Sequence, residues 1–145
     1  MKRLVIIPAL NPDDKIFEVI EKIKQLDFHV IVVNDGSDLS YLSLFNKLKN
    51  KCVVLSYEKN EGKGSAIKTA LQWVKDEQKK YDVLGIMDAD GQHLAEDMNH
   101  ILEISYKNPS SLIIENRYMN RNVPWKSYFE NKITSFFFFL IAGKK

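Results

Sequence analysis

The sequence has 145 residues, of which 45% are hydrophobic and 28% charged, with a net charge of +2 and a single cysteine, Cys52. This length and composition suit one globular domain and exclude a disordered chain. One cysteine cannot form an internal disulfide, so we expect the reducing cytoplasm as the compartment. We expect no nucleic-acid partner.

Short apolar segments alternate along the chain with stretches of helical periodicity. In chain order the pattern predicts strand Leu4–Ile7, helix Asp13–Leu26, strand Val30–Val33, helix Ser40–Leu48, strand Val53–Ser56, helix Ser65–Lys79, strand Val83–Met87, helix Glu96–Tyr106 and strand Leu112–Ile114. The third helix aligns Ile67, Ala70, Leu71 and Val74 on one face. Continuous apolar strands that are each followed by a helix are typical of parallel sheets covered on both faces. We therefore predict an α/β fold, with a Rossmann-like open, mostly parallel sheet and helices on both faces.

Polar residues follow four of the predicted strands. They are Asn11 and Asp13, then Asn34, Asp35 and Ser37, then Gly62, Lys63 and Gly64, and finally Asp88, Asp90 and Gln92. Ligands of open parallel sheets bind beyond the carboxyl ends of the strands. Carboxylates, amides and a lysine among glycines at that edge predict a polar site with metal and phosphate chemistry.

The two carboxylates of Asp88 and Asp90 are the most specific feature of this set. Aspartates separated by one residue at a strand end can share a divalent cation, and Gln92 offers an amide oxygen nearby. Such hard oxygen ligands suit Mg²⁺ or Mn²⁺. The alternative is an ordinary Asp-Gly turn whose aspartates cap the next helix.

Two further loops carry weaker signals. The run Gly62-Lys63-Gly64-Ser65 lacks the spacing of a Walker motif, but it opens a helix at which backbone N–H groups and Lys63 could meet an anion. Asp35 suits a hydrogen bond from a base or ribose, but taken alone the motif is better explained by an ordinary Asn-Asp-Gly turn.

Charge is distributed unevenly towards the C-terminal end. Residues 117–145 contain six basic residues and one acidic residue, whereas residues 1–116 contain 15 basic and 18 acidic ones. This asymmetry suggests an anionic partner, a membrane surface or a phosphate, with a solvated basic tail as the alternative. Residues 126–142, with Phe136–Phe139 at their centre, are too short to span a bilayer. We expect a helix that lies at the inner face of the membrane as a peripheral contact or binds a partner, such as a second copy of the chain.

Four motifs occur in an order that identifies a resemblance. They are Ile7-Pro8-Ala9-Leu10-Asn11, Val33-Asn34-Asp35-Gly36-Ser37, Asn60-Glu61-Gly62-Lys63-Gly64 and Met87-Asp88-Ala89-Asp90-Gly91-Gln92-His93. In this order they resemble the serial motifs of family 2 glycosyltransferases, and in particular the branch of dolichyl- or polyprenyl-phosphate sugar synthases. The resemblance runs from about Leu4 to Gly143.

The resemblance implies a single GT-A domain over residues 1–145, a UDP- or GDP-sugar donor, a polyprenyl phosphate acceptor and an inverting transfer assisted by Mg²⁺ or Mn²⁺. The nucleotide sugar would be bound by Pro8, Asn11, Asp35, Ser37, Gly62, Lys63 and Asp88. The metal would be held by Asp88, Asp90 and Gln92. Asp90 and Arg117 would be catalytic, and Arg117 and Lys126 would bind the acceptor phosphate.

Some positions depart from the branch. Glu115, Tyr128 and Glu130 stand where the branch usually has glycine, arginine and glycine. Relatives also continue beyond a glycine such as Gly143, so we expect a C-terminally truncated member. Two alternatives stay open: a truncated domain that binds nucleotide without transfer, and a Mg²⁺-dependent phosphatase of the haloacid dehalogenase type. In that type the Asp-x-Asp-Gly motif normally follows the first strand.

Overall fold

A computed structural model describes residues 1–92 and 95–114 of the chain, and these belong to one compact unit. The elements in chain order are β1 (Arg3–Ala9), α1 (Lys15–Gln25), β2 (His29–Asn34), a 3-10 turn (Leu39–Tyr41), α2 (Leu42–Leu48), β3 (Val53–Ser56), α3 (Lys63–Asp76), β4 (Val83–Ile86) and α4 (Ala95–Lys107). The predicted α/β class is confirmed. The prediction of one domain over residues 1–145 extends beyond the described residues and stays a prediction.

The four strands form a parallel sheet in the order β3-β2-β1-β4. The chain therefore moves outward from β1 to β3 and then returns to the other side of β1 to form β4. This reversal makes the gap between the carboxyl ends of β1 and β4 a topological switch point, where open α/β sheets bind ligands.

Both faces of the sheet are covered, as the continuous apolar strands predict. Alternate residues of β1 point to opposite faces: Val5 and Ile7 belong to the core beneath α1, α2 and α4, and Leu4 and Ile6 to the core beneath α3. Right-handed crossovers explain why α1 and α2 lie opposite α3, because the two connections that lead outward and the connection that returns must lie on opposite faces.

Two predictions about these elements are wrong. Leu112–Ile114 is not a strand, and Leu112 and Ile114 are 72% and 68% exposed. No described strand pairs with this segment, and a short apolar run does not specify its own partner. In α3 the predicted inward residue Leu71 is 44% exposed, whereas Ala66 and Ala70 are fully buried. Two small residues let α3 approach the sheet closely, so its buried face is rotated from the one that the larger apolar residues suggested.

Among the residues that the structure describes, no helix has the length and apolar character needed to cross a membrane. The predicted interfacial helix at residues 126–142 lies outside the described residues, as do Arg117 and Lys126.

Candidate functional site

The loops after β1 and β2 are joined by hydrogen bonds. The backbone N–H of Asn11 donates to Ser37 Oγ at 2.9 Å, and Asn11 Nδ2 donates to Asp38 Oδ2 at 3.0 Å. Asp38 N–H returns a bond to Asn11 Oδ1 at 2.9 Å, and Asn34 Oδ1 accepts from the N–H of Ser37 at 2.9 Å. Asn11 is therefore in contact with the loop after β2, and its side chain holds the two loops together.

Asp35 connects the end of β2 to two other strand ends. It is 5% exposed, and its backbone N–H donates to the carbonyl of Ala9 at 2.9 Å. Its Oδ1 accepts from the backbone N–H groups of Glu61 at 2.9 Å and Gly62 at 3.2 Å, in the loop after β3. Its Oδ2 receives no hydrogen bond from any described residue, so one carboxylate oxygen remains for a ligand.

Gly36 is the point at which the loop after β3 lies directly on the loop after β2. Its φ is +72°, and a Cβ added there would lie 2.2 Å from both the backbone N of Asn60 and the backbone C of Lys59. Tyr57 N–H also donates to the carbonyl of Asn34 at 3.0 Å. A side chain at position 36 would therefore displace the backbone that leads into α3.

Lys63, the first residue of α3, links the third loop to the fourth. Its Nζ lies 2.5 Å from Oδ1 of Asp88, with side-chain exposures of 55% and 44%. Asp88 follows β4 at the switch point: Ile6 pairs with Ile86, so Pro8 and Asp88 each lie two residues beyond that pair. A cation and a carboxylate thus meet where the reversal of strand order predicts a ligand.

The turn after Asp88 presents the other predicted metal ligands. Asp90 is exposed, and its Oδ1 accepts from the N–H of Gln92 at 2.9 Å, while Gly91 between them has a φ of +74°. The described part of the chain contains no group of three or more His, Cys, Asp and Glu placed to hold a metal. Two carboxylates and an amide nevertheless fit Mg²⁺ or Mn²⁺, since such ions keep several waters and take few protein ligands.

Asp13, also predicted at this edge, has a local role instead. Its Oδ1 accepts from the backbone N–H of Lys15 at 2.9 Å, and its Oδ2 pairs with the ammonium of the same residue at 3.5 Å. Asp13 therefore supports the start of α1, and neither contact reaches the other loops.

The sequence alone predicts no role for Asp38 or for the backbone of Gly36. The Asn-Asp-Gly turn is a signal for Gly36, because glycine readily adopts a positive φ. No local pattern marks Asp38, whose partner Asn11 is 27 residues away.

A cavity of about 440 Å³ lies at the opposite edge of the sheet, at the amino ends of β2 and β3. It is open because β3 pairs with β2 only from Ile31 onward, which leaves His29 and Val30 without a β3 partner. Lys24 and Lys49 line it beside the C-terminal ends of α1 and α2. Lysines at helix C-termini offset the partial negative charge of the helix dipole, so these cations have a structural explanation.

The comparisons with known proteins agree with this architecture. The chain matches the family described as "Glycosyl transferase family 2" over residues 4–143. It is therefore a member of glycosyltransferase family 2, with an α/β fold of the GT-A type. This membership argues against the phosphatase alternative.

The names of two curated relatives refer to dolichyl phosphate and to polyprenol monophosphomannose. The chain is 26% identical to the UDP-N-acetylglucosamine–dolichyl-phosphate N-acetylglucosaminyltransferase of Methanococcus voltae, over 96% of this chain and 62% of that protein. It is 28% identical to the polyprenol monophosphomannose synthase of Mycolicibacterium smegmatis, over 86% of this chain and 50% of that protein. The chain thus spans about half to three-fifths of the length of these relatives.

A solved structure with the same fold contains a nucleotide. The crystal structure of S. aureus TarS 1-349 in complex with UDP is 26% identical to the chain, with a TM-score of 0.58, and the match covers 86% of this chain and 38% of that chain.

Proposed function

We propose that this chain is the donor-binding part of a glycosyltransferase that moves a sugar from a UDP- or GDP-sugar to a polyprenyl phosphate with the help of Mg²⁺ or Mn²⁺. Family membership, the lipid-phosphate relatives and the UDP complex of TarS support this proposal.

The contact between Lys63 and Asp88 carries the proposal. It lies at the switch point, and hydrogen bonds connect the loop that precedes Lys63 to Asp35 at 5% exposure. A nucleoside diphosphate needs three groups in its site: a buried acceptor for the base or ribose, a lysine for phosphate and a carboxylate for a metal. They follow three different strands, β2, β3 and β4, at the carboxyl edge of the sheet.

Each remaining donor-site residue has a proposed part. Ser37 and Pro8 would line the nucleoside beside Asp35, Asn11 would hold the loop that carries Ser37, and Gly62 would let the backbone approach the phosphates. Asp88, Asp90 and Gln92 would hold the divalent cation, which when bound neutralises the charge that develops on a departing diphosphate.

The transfer itself requires no protein base when the acceptor is a lipid phosphate. An acceptor oxygen is already anionic and attacks the anomeric carbon. As this bond forms, the bond from that carbon to the donor diphosphate breaks and the nucleoside diphosphate leaves. The configuration at the anomeric carbon is thereby inverted. Arg117 and Lys126, which lie outside the described residues, would bind the acceptor phosphate through charge-assisted hydrogen bonds.

A transfer assay tests the proposal. The protein is incubated with Mn²⁺, polyprenyl phosphate in detergent and radiolabelled UDP-glucose, UDP-N-acetylglucosamine or GDP-mannose, and label is counted in the organic phase. We expect label from one donor, its loss in Asp90→Asn, and its retention in Asp97→Asn, a matched change at an exposed position of α4. Absence of lipid-linked label with all three donors would contradict transfer to polyprenyl phosphate by this chain.

A second candidate is a domain that binds the donor without transferring its sugar. Metal-dependent nucleotide binding without label in the lipid fraction would select this candidate.

A further inference from the structure

We infer that Asp35 is a positioning residue: it fastens the segment Tyr57–Gly62 to the end of β2 and thereby sets Lys63 against Asp88. The inference deepens the proposed function, because it gives one residue control over both the base side and the phosphate side of the same site. The anchoring itself needs no nucleotide and can be tested without one.

The contacts of Asp35 are those of an anchor. Its Oδ1 accepts from the backbone N–H groups of Glu61 and Gly62, the two residues that precede Lys63. The N–H of Gly62 also donates to Oδ1 of Asn60 at 2.9 Å, so Asp35 and Asn60 share this donor. Glu61 N–H has Asp35 as its only hydrogen-bond acceptor in the described part of the chain, so the Glu61 bond depends most directly on this carboxylate.

The burial of Asp35 makes its hydrogen bonds important for holding the loop. A carboxylate at 5% exposure has lost most of its water and must be stabilised by hydrogen bonds. Bonds from N–H groups to an ionised carboxylate are stronger than bonds to a neutral oxygen. Two backbone donors to one oxygen therefore stabilise the charge and restrain the loop at once.

The backbone groups that Asp35 binds lie immediately before Lys63 in the chain. Gly62 adopts a φ of +90° as α3 begins, and its carbonyl accepts from the N–H groups of Ser65 and Ala66 at 3.0 and 3.1 Å. Fixing the N–H of Gly62 therefore fixes the first turn of α3. Lys63 begins that turn and contacts Asp88.

Amide hydrogen exchange on the full chain tests the anchoring directly. In Asp35→Ala we expect the Glu61 amide to exchange at least about tenfold faster, because its acceptor is gone. In Asp35→Asn we expect a smaller increase, because the amide oxygen can still accept without the charge. Glu58→Gln, an exposed charge in the same segment, should leave exchange unchanged. A Glu61 exchange rate in Asp35→Ala equal to that of the parent would overturn the inference.

Nucleotide affinity separates positioning from direct contact. UDP and GDP are titrated into the parent, Asp35→Ala, Lys63→Gln and the double variant with Mn²⁺ present. If Asp35 acts through Lys63, the loss of affinity in the double variant is clearly smaller than the product of the two single losses. Multiplicative losses would mean that the two residues act independently, and would refute the positioning role. Lack of binding by the parent protein would contradict the proposed function and leave the exchange result to decide the anchoring.

Discussion

Replacing Gly36 with alanine should destabilise the fold and disturb the candidate site together. At a φ of +72° an alanine costs about 1–2 kcal/mol. The new Cβ would also lie 2.2 Å from the Asn60 N and Lys59 C atoms, which are backbone and cannot rotate aside. Overpacking of this kind costs about 1–3 kcal/mol. The sum is roughly 2–5 kcal/mol of unfolding free energy.

Urea unfolding followed by circular dichroism measures this loss. With a slope of about 1–3 kcal/mol per molar urea, the midpoint should fall by on the order of 1–2 M. Gly64→Ala is the matched control, because nothing lies within 4 Å of a Cβ at that position and Gly64 is part of α3. There alanine should be neutral or stabilise by up to about 1 kcal/mol. A Gly36→Ala protein within about 0.5 kcal/mol of the parent would refute the close approach of the two loops.

Lys63→Gln should change the unfolding free energy by less than about 1 kcal/mol, because both partners of the pair with Asp88 are about half exposed, at 55% and 44%. The same change should weaken UDP or GDP binding about tenfold in calorimetry, and equal affinity would contradict the phosphate role. Burial raises the pKa of the Cys52 thiol from 9.0 to about 11, so alkylation by iodoacetamide at pH 8 should be roughly 100-fold slower than in urea. Equal alkylation rates in the two conditions would show an exposed thiol. The stability that the protonated thiol confers is present below pH 9 and is lost as the pH rises towards 11. Gly85→Ala should lower the free energy of unfolding by about 1–3 kcal/mol, because its Cβ would lie 2.5 Å from Met98 Sδ. In urea unfolding, the double variant with Met98→Ala should lose less than the sum of the two single losses.

Much of the fold was predictable because its strands are buried on both faces. Continuous apolar runs such as Val30–Val33 identify parallel strands without any knowledge of their partners, and β2 contains that run. Leu112–Ile114 is also an apolar run, but Leu112 and Ile114 are exposed, because pairing depends on a neighbour that local sequence does not specify. The burial of Leu71 was also wrongly predicted, because the residues that pack against a helix decide which of its faces is buried.

The meeting of the four loops was also predictable, since parallel strands bring all their carboxyl ends to one edge. The contact of Lys63 with Asp88 and that of Asn11 with Ser37 agree with that expectation. The use of Asp35 as a loop anchor was not predictable, because its partners are backbone N–H groups that any residue could supply.

The most direct test of the central claim is a calorimetric titration of UDP and GDP into the parent protein and Asp90→Ala, with Mn²⁺ and again with a chelator. We predict that one nucleotide binds, that the chelator weakens its binding, and that Asp90→Ala abolishes the effect of Mn²⁺. Asp97→Asn should bind as the parent does. Failure of both nucleotides to bind the parent under either condition would contradict a nucleotide-sugar site at this edge of the sheet.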